Sequence, residues 1–404
     1  MRNIKKCRVC EKTDFFKTID LGELYLSGKF FSENYKIPKK RITLVQCKNC
    51  GLNQLLQQFD LNLLYDHNYG YQSSLNKSMY THLELKARDL KKKLKLKKTD
   101  IILDIGSNDA TTLSFFKSQK IKIGIDAVAS KFKKKYKNIN AIMIEDFFPT
   151  EKLKKFIGDK KIKLISSYSC FYDLPNPVFF AKHIEQNLTD DGIWVLEQSY
   201  LPFMLKTNSF DTICHEHIEY YKLKDIENIC ELSNLKILNV TFNTINGGSF
   251  SIEISKKNSK FKVKKIVKKT IEDEMNTNWT NEFKKFKKRI IKQKKNLITF
   301  LNNQLKQNKK VLGIGASTKG SVLLQYFGVT KKQINFIGEV NKDKFNKVTP
   351  GNKIPIINEA QILEMKPDYL IIFTWHFKKF FLKNKKFRGV KMVFPLPNFE
   401  IVQN

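Results

Sequence analysis

The stretch Ile101-Ile102-Leu103-Asp104-Ile105-Gly106-Ser107-Asn108-Asp109-Ala110-Thr111-Thr112-Leu113 constrains the fold more than any other part of the chain. Four apolar residues in five, a Gly-led polar turn, and then Leu113-Ser114-Phe115-Phe116 predict a buried strand, a tight turn and a helix. Such a unit opens a doubly wound α/β sheet, whose ligands sit at the carboxyl ends of the strands. Gly106 lets the backbone approach a ligand closely. Residues 121–126 read as a second strand ending in Asp126, an acid placed for two ribose hydroxyls. The turn has one glycine instead of three, and acids stand where a pyrophosphate would need donors. An adenosine with a cationic end therefore suits it better than NAD, and S-adenosylmethionine (SAM) is such a ligand. A third strand over 141–144 leads to Asp146, placed to read an adenine amino group; a fourth over 163–168 ends at Tyr168; a fifth covers 193–197. Asp104, Gly106, Asn108, Asp126, Asp146 and Tyr168 are the candidate cofactor contacts. A sheet of this type that binds no ligand is the simpler alternative.

A length of 404 residues accommodates two to three domains, each able to bury a core. The formal net charge of +35 invites a nucleic-acid reading. Only six of the 74 basic residues are arginine (positions 2, 8, 41, 88, 289 and 388), whereas arginine dominates specific phosphate and base contacts. A solvated, Lys-coated surface with some attraction for anionic substrates is the expectation, with no nucleic-acid partner. No apolar run reaches the roughly 18 residues of a membrane span, and Met1-Arg2-Asn3-Ile4-Lys5-Lys6 lacks the apolar core of a signal peptide. The expected setting is cytoplasmic, without a membrane partner. Four of the seven cysteines form two CxxC pairs, Cys7/Cys10 and Cys47/Cys50, with 36 residues between them. Each turn can offer two thiolates to one tetrahedral Zn²⁺, and Gly51 helps the second to close. The intervening apolar residues (Leu21, Leu24, Phe30, Phe31, Leu44, Val45) are too few to fold unaided, so the zinc is expected to be structural.

Three further stretches carry candidate chemistry. Residues 65–74, including Tyr69 and Tyr71, read as an aromatic loop that suits either a binding lid or a packed junction. A helix is expected to follow from about residue 75 to 98. Residues 211–221, Asp-Thr-Ile-Cys-His-Glu-His-Ile-Glu-Tyr-Tyr, hold two of the six histidines beside carboxylates and phenols. A carboxylate beside a histidine can fix its tautomer and raise its basicity, which makes a general base. Plain hydrogen-bonded structure is the main alternative, and a metal site using His215 and His217 on one side of a strand a lesser one. Asn246-Gly247-Gly248-Ser249 reads as a turn whose amides could hold an oxyanion. The Lys-rich segment 257–308 shows helical spacing at Phe283, Phe286, Ile290, Leu297 and Leu301, as a long amphipathic connecting helix would. Residues 311–320, Val-Leu-Gly-Ile-Gly-Ala-Ser-Thr-Lys-Gly, repeat the pattern of strand, Gly-rich turn and helix. Gly315, Ser317 and Lys319 at a helix start would suit a phosphate.

The motifs CxxC…CxxCG, LDIGSNDATTL, SYSCFYDLP, CHEHIEYY, NGGSF, GIGASTKG and VTPGNKIPI occur in the order seen in zinc-containing sugar C-methyltransferases, and the chain resembles that family over essentially its whole length. The resemblance implies a zinc-binding domain (1–62), a class I SAM methyltransferase domain with a helical lead-in (63–256), a basic helical linker (257–308) and a second Rossmann-like α/β domain (309–404). It implies Cys7, Cys10, Cys47 and Cys50 as zinc ligands, His217 as the base with Glu216 as its partner, and Tyr71 as a further catalytic group. Tyr69, His215, Gly248, Ser317 and Lys319 would contact substrate, a nucleotide-linked keto-deoxysugar of the TDP type, methylated alpha to its ketone. The protein would act as a monomer or homodimer. The chain departs from the family pattern at Cys214, where some members carry Tyr, and at Ala110, where the usual residue is Gly. It also has Asn246 and Ser251 where sugar enzymes often carry His and a basic residue.

Overall fold

The computed structural model describes residues 2–35, 37–66 and 70–403. At the N-terminal end, β1 (Phe15–Tyr25), β2 (Lys39–Cys47) and β3 (Asn53–Leu55) form an antiparallel sheet. Its fourth strand comes from far along the chain: Glu219–Tyr220 pairs with β3, Glu219 opposite Gln54 and Tyr220 opposite Asn53. β2 is buried from Ile42 to Cys47 without alternation, because both faces are covered. Ile42 and Leu44 join a core shared with the C-terminal domain, while Cys47 joins the core of the central sheet. Leu21, Leu24 and Phe30 belong to that first shared core, so the N-terminal sheet is held by its neighbours as well as by its cysteines.

α1 (Lys77–Leu94) starts at Asn76, whose side chain accepts from the amides of Ser78 and Met79, and buries Met79, Leu83, Ala87 and Leu90. It leads into a seven-stranded sheet of β4 (Ile101–Ile105), β5 (Ile121–Asp126), β6 (Ile142–Glu145), β7 (Ile162–Tyr168), β8 (Leu188–Ser199), β9 (Leu235–Asn243) and β10 (Ser249–Lys256). The spatial order is β9-β10-β8-β7-β4-β5-β6, parallel except for β10, which runs antiparallel to both neighbours. Strand order reverses at β4, so a crevice opens at the carboxyl ends of β4, β5 and β7. The helix expected after the Gly106 turn is a single turn, Thr111–Ser114. Phe116 drops into the core there and the chain returns directly to β5.

The expected long connecting helix is two helices, α2 (Lys265–Met275) and α3 (Trp279–Lys306). Asn278 interrupts the run by capping α3 through the Asn281 amide, and the Trp279 indole donates back to the Glu274 carbonyl. α3 buries Phe283, Phe286, Ile290, Leu297 and Leu301, the stripe its spacing predicts. The C-terminal sheet has the order β13-β12-β11-β14-β15-β16, from β11 (Val311–Ile314), β12 (Ile337–Glu339), β13 (Ile356–Asn358), β14 (Tyr369–Ile372), β15 (Lys391–Phe394) and β16 (Glu400–Gln403). Only β16 is antiparallel. Here too the order reverses at the first strand, β11, which is followed by the Gly315 turn and α4 (Thr318–Phe327).

Candidate active site

The four expected cysteines converge. Their sulfurs lie within 4.8 Å of one another, with Cys7–Cys50 at 3.6 Å and Cys10–Cys47 at 3.5 Å. A thiolate tetrahedron with zinc–sulfur bonds of ~2.3 Å has edges of ~3.8 Å, so the donor set fits Zn²⁺. Around it, Gln54 Nε2 donates to Cys7 Sγ at 3.1 Å, and the buried Arg8 guanidinium donates to Gln54 and to the Leu55 and Gln57 carbonyls. The cluster does not border the cavity described next, in keeping with a structural metal.

A cavity of about 560 Å³ runs between the carboxyl end of the central sheet and that of the C-terminal sheet. Asp104, Gly106, Asn108, Asp126, Asp146 and Tyr168 all line it. Gly106 has φ of +68°, and a Cβ there would lie 2.8 Å from Cys170, so the close turn requires glycine. Asp126 closes the turn: one carboxylate oxygen accepts from the Asn108 amide and the other from the Val128 amide, both at 2.9 Å. A carboxylate has further lone pairs free for ribose hydroxyls. Asp104 accepts from Ser166 at 2.6 Å, and burial pushes it up to about 7. Asp146 accepts from its neighbour's amide and from Thr150, with Lys152 at 3.1 Å. Acidic side chains at three strand ends fit an adenosine with a sulfonium better than a pyrophosphate.

The loop before α1 lies over this turn. Ser73 N donates to Asn108 Oδ1 at 3.0 Å, and Asn108 Nδ2 donates to the Tyr71 carbonyl at 3.2 Å. Tyr71 lines the cavity and stays 44 % exposed at its mouth. Tyr69 lies outside the described residues.

The histidine-rich stretch departs from a strand. Residues 214–216 form a bend, so the side chains of 215, 216 and 217 diverge. His217 faces the cavity. Its Nδ1 donates to the Thr212 carbonyl at 2.9 Å, which leaves Nε2 an acceptor with no hydrogen-bond partner among the described residues, and Tyr172 lies against the ring with centroids 4.2 Å apart. Burial, with the Lys319 ammonium nearby, pushes His217 down to about 3, so it is a neutral imidazole. The expected partner Glu216 turns away instead. Its Oε1 accepts from the Gly28 amide at 3.0 Å, and a Cβ on Gly28 would lie 2.3 Å from that oxygen. The orienting group of His217 is therefore a backbone carbonyl. His215, expected at the substrate, is fully buried behind the cavity, its Nε2 donating to the Lys40 carbonyl at 3.2 Å and its ring edge-on to Phe59. The geometry leaves no shared metal site for the two histidines.

Gly248 also lies off the cavity. With φ of +127° and Phe203 filling the space beside it, it shapes the turn, and its carbonyl accepts from Tyr200 N at 3.2 Å. Its neighbour Asn246 lines the cavity and accepts from Lys319 Nζ at 2.5 Å through its carbonyl. Ser317 caps α4 by accepting from the Gly320 amide at 3.0 Å, and both Ser317 and Lys319 line the cavity. Lys319 further contacts Ser209 at 3.4 Å and the face of Trp375, whose indole donates to the buried Asp211 at 2.7 Å. Several wall residues escaped the sequence reading. Asn341 donates to the Gly70 carbonyl at 2.9 Å, Lys344 reaches the Ala316 carbonyl at 2.8 Å, and His376 follows Trp375. The loop holding Asn341 and Lys344 follows Glu339 at the end of β12, the topological equivalent of Asp126, and that equivalence was the available signal.

Three family profiles match in succession: "Putative zinc binding domain" over residues 7–65, "Methyltransferase domain" over 79–240 and "C-methyltransferase C-terminal domain" over 244–397. The C-methyltransferase NovU of Streptomyces niveus is 25 % identical over 415 residues, covering 100 % of this chain and 98 % of NovU. The chain belongs to the zinc-containing, SAM-dependent C-methyltransferases. Solved structures overlay only in part. A SAM-dependent methyltransferase from Clostridium acetobutylicum is 10 % identical with a TM-score of 0.35, covering 44 % of this chain and 91 % of that one. The CcbJ methyltransferase of Streptomyces caelestis is 9 % identical with a TM-score of 0.33, covering 42 % and 88 %. In this C-methyltransferase the end of the cavity at the Gly106 turn belongs to the central domain, and the opposite wall belongs to the C-terminal domain.

Proposed function

We propose that this C-methyltransferase alkylates the carbon alpha to a ketone in a nucleotide-linked, TDP-type deoxysugar, through an enolate generated by His217. The observation that carries this reading is one continuous cavity holding the Gly106 turn, the bare Nε2 face of His217 and the cationic start of α4. When bound, SAM supplies an electrophilic methyl group and leaves as neutral S-adenosylhomocysteine. Asp126 and Asp146 hold its nucleoside, and Asp104, Asn108 and Tyr168 shape the pocket around it. A carbon acceptor must first become nucleophilic, so His217 Nε2 removes the alpha proton. The C–H electron pair passes into the carbonyl and charges its oxygen. The Thr212 carbonyl keeps the imidazole turned so that Nε2 faces the substrate, and the imidazolium formed is stabilised by the enolate beside it. Tyr71 covers the reacting carbon and excludes water. Lys319, Ser317 and the start of α4 hold the diphosphate, where an ammonium and free helix amides suit an anion. Glu216 and His215 position the bend that carries His217, and Gly248 positions the turn that carries Asn246.

Calorimetric titration of the zinc-loaded protein with S-adenosylhomocysteine, followed by methyl-transfer assays on TDP-linked keto-deoxysugars, tests the reading. Asp126→Ala is expected to weaken S-adenosylhomocysteine roughly 10–100-fold, as loss of a charged hydrogen-bond partner does. His217→Gln is expected to keep that affinity and to lose about 10²–10⁴ in kcat. Full turnover by His217→Gln would remove His217 as the base, and wild type inert on every keto-sugar would remove the substrate class.

A further inference from the structure

One buried titratable group in the cavity has no part in this chemistry. Asp173 closes the short turn Phe171–Asp173 that follows β7, and it lines the same cavity as His217. It is 6 % exposed. Its Oδ2 accepts from the Tyr65 hydroxyl at 2.7 Å, whereas its Oδ1 has no hydrogen-bond partner among the described residues. The preceding residue, Tyr172, is the one packed against the His217 ring. The titratable groups facing Asp173 are the phenols of Tyr65 and Tyr220, the carboxyls of Glu216 and Glu219, and the thiols of Cys170 and Cys214. None of these is a cation. A carboxylate here would be buried beside two other carboxyls with one oxygen unpaired, which disfavours the charged form. Burial accordingly pushes Asp173 well above the usual carboxyl range, with Glu216 and Glu219 adding to the shift. Because Oδ2 already accepts from Tyr65, the acid proton belongs on Oδ1.

We propose that Asp173 is a catalytic residue of the methyl transfer, donating its Oδ1 hydrogen to the ketone oxygen while His217 removes the alpha proton. The inference rests on the enolate reading above. The hydrogen is shared, not given up. The bond strengthens as the oxygen gains charge and weakens when the carbonyl re-forms, so Asp173 ends each cycle as it began and the abstracted proton leaves through His217. A donor that is already buried and held by the Tyr65 hydroxyl is in place before the reaction, which is what makes such groups effective.

Two measurements test it. The first needs no substrate: the infrared difference spectrum of wild type minus Asp173→Asn, both loaded with S-adenosylhomocysteine at pH 7. A protonated carboxylic-acid carbonyl band in wild type is expected, and an ionised-carboxylate band in its place would overturn the proposal. The second uses the TDP-linked keto-deoxysugar that wild type turns over. Asp173→Ala is expected to lose about 10²–10³ in kcat, the usual cost of removing one such donor, with S-adenosylhomocysteine affinity unchanged. Asp173→Asn keeps an N–H donor and is expected within about 10-fold of wild type. The donor exists only below the carboxyl's pKa, so wild-type kcat should fall at high pH through that group and Asp173→Asn should lack that fall. Equal losses in the Ala and Asn variants, or no loss in Ala, would overturn the role. Absence of wild-type turnover on every keto-sugar would instead show that the enolate reading had failed, and this inference would fall with it.

Discussion

Lys319 sits where the two domains meet, and its surroundings decide what it can do. The ammonium touches the Asn246 carbonyl, Ser209 and the Trp375 ring, with the buried Asp211 behind. Burial lowers its pKa while Asp211 raises it, so one partly compensated cation faces the cavity. A group that holds the remote end of a substrate contributes to binding in ground and transition states alike. Lys319→Met is therefore expected to raise KM for the proposed nucleotide-sugar substrate by about 10-fold or more and to lower kcat by less than about 3-fold. The reverse pattern in steady-state kinetics would reassign Lys319 to the chemical step. At this scale the cavity-lining acids at the strand ends and the clustered cysteines were legible from the sequence, because a strand end or a CxxC turn points its residues the same way in any fold. The loop of Asn341 and Lys344 was legible only as one that follows a strand end, and His376 not at all, because all three face the cavity only through the docking of the C-terminal domain.

At the scale of elements, the bend at residues 214–216 is the informative case. Alternation along a strand would have put His215 and His217 on one face. The chain instead folds sharply, sends Glu216 to the Gly28 amide, and buries His215 against Phe59 and the Lys40 carbonyl. Burial holds His215 down to about 4, well below the ordinary ~6.5 of the unfolded chain. Between those values the unfolded state binds the extra proton, so this contribution is complete above about pH 6.5 and is lost as pH falls toward 4. Denaturant titrations at pH 7 and pH 5 should show wild type losing on the order of 1–2 kcal/mol more than His215→Gln does. Equal losses would mean that His215 does not titrate on unfolding. The segments that were legible as elements, α3 with its buried stripe and the strands around Gly106, bury one unbroken face over several turns or residues. The bend has no period to read.

Across the whole molecule, the zinc-binding sheet is a structural support of the active site as well as an appendage to it. Its edge strand Glu219–Tyr220 begins two residues after His217, and Arg8, between two zinc ligands, is bonded to the neighbouring strand β3. Removing the metal should therefore disturb His217 at a distance. Chelation is expected to expose the four thiols to alkylation, lower Tm and abolish turnover, although no cysteine of the cluster borders the cavity. Metal-free protein with unchanged Tm and turnover would separate the two sites.

The chain by itself determined its α/β class, two separate sheet units around the Gly106 and Gly315 turns, the thiolate cluster and the tight turn at Gly106. These depend on local periodicity, on glycine at a positive φ and on fixed ligand spacing, all of which act within a few residues. Only the tertiary structure decided that the N-terminal sheet borrows a strand from residues 219–220, that His217 is oriented by Thr212, and that the C-terminal domain completes the cavity wall. The strand pairing and the cavity wall depend on which distant surfaces bury each other, and the Thr212 contact on a bend that tertiary packing shapes; neither leaves a period in the sequence to read.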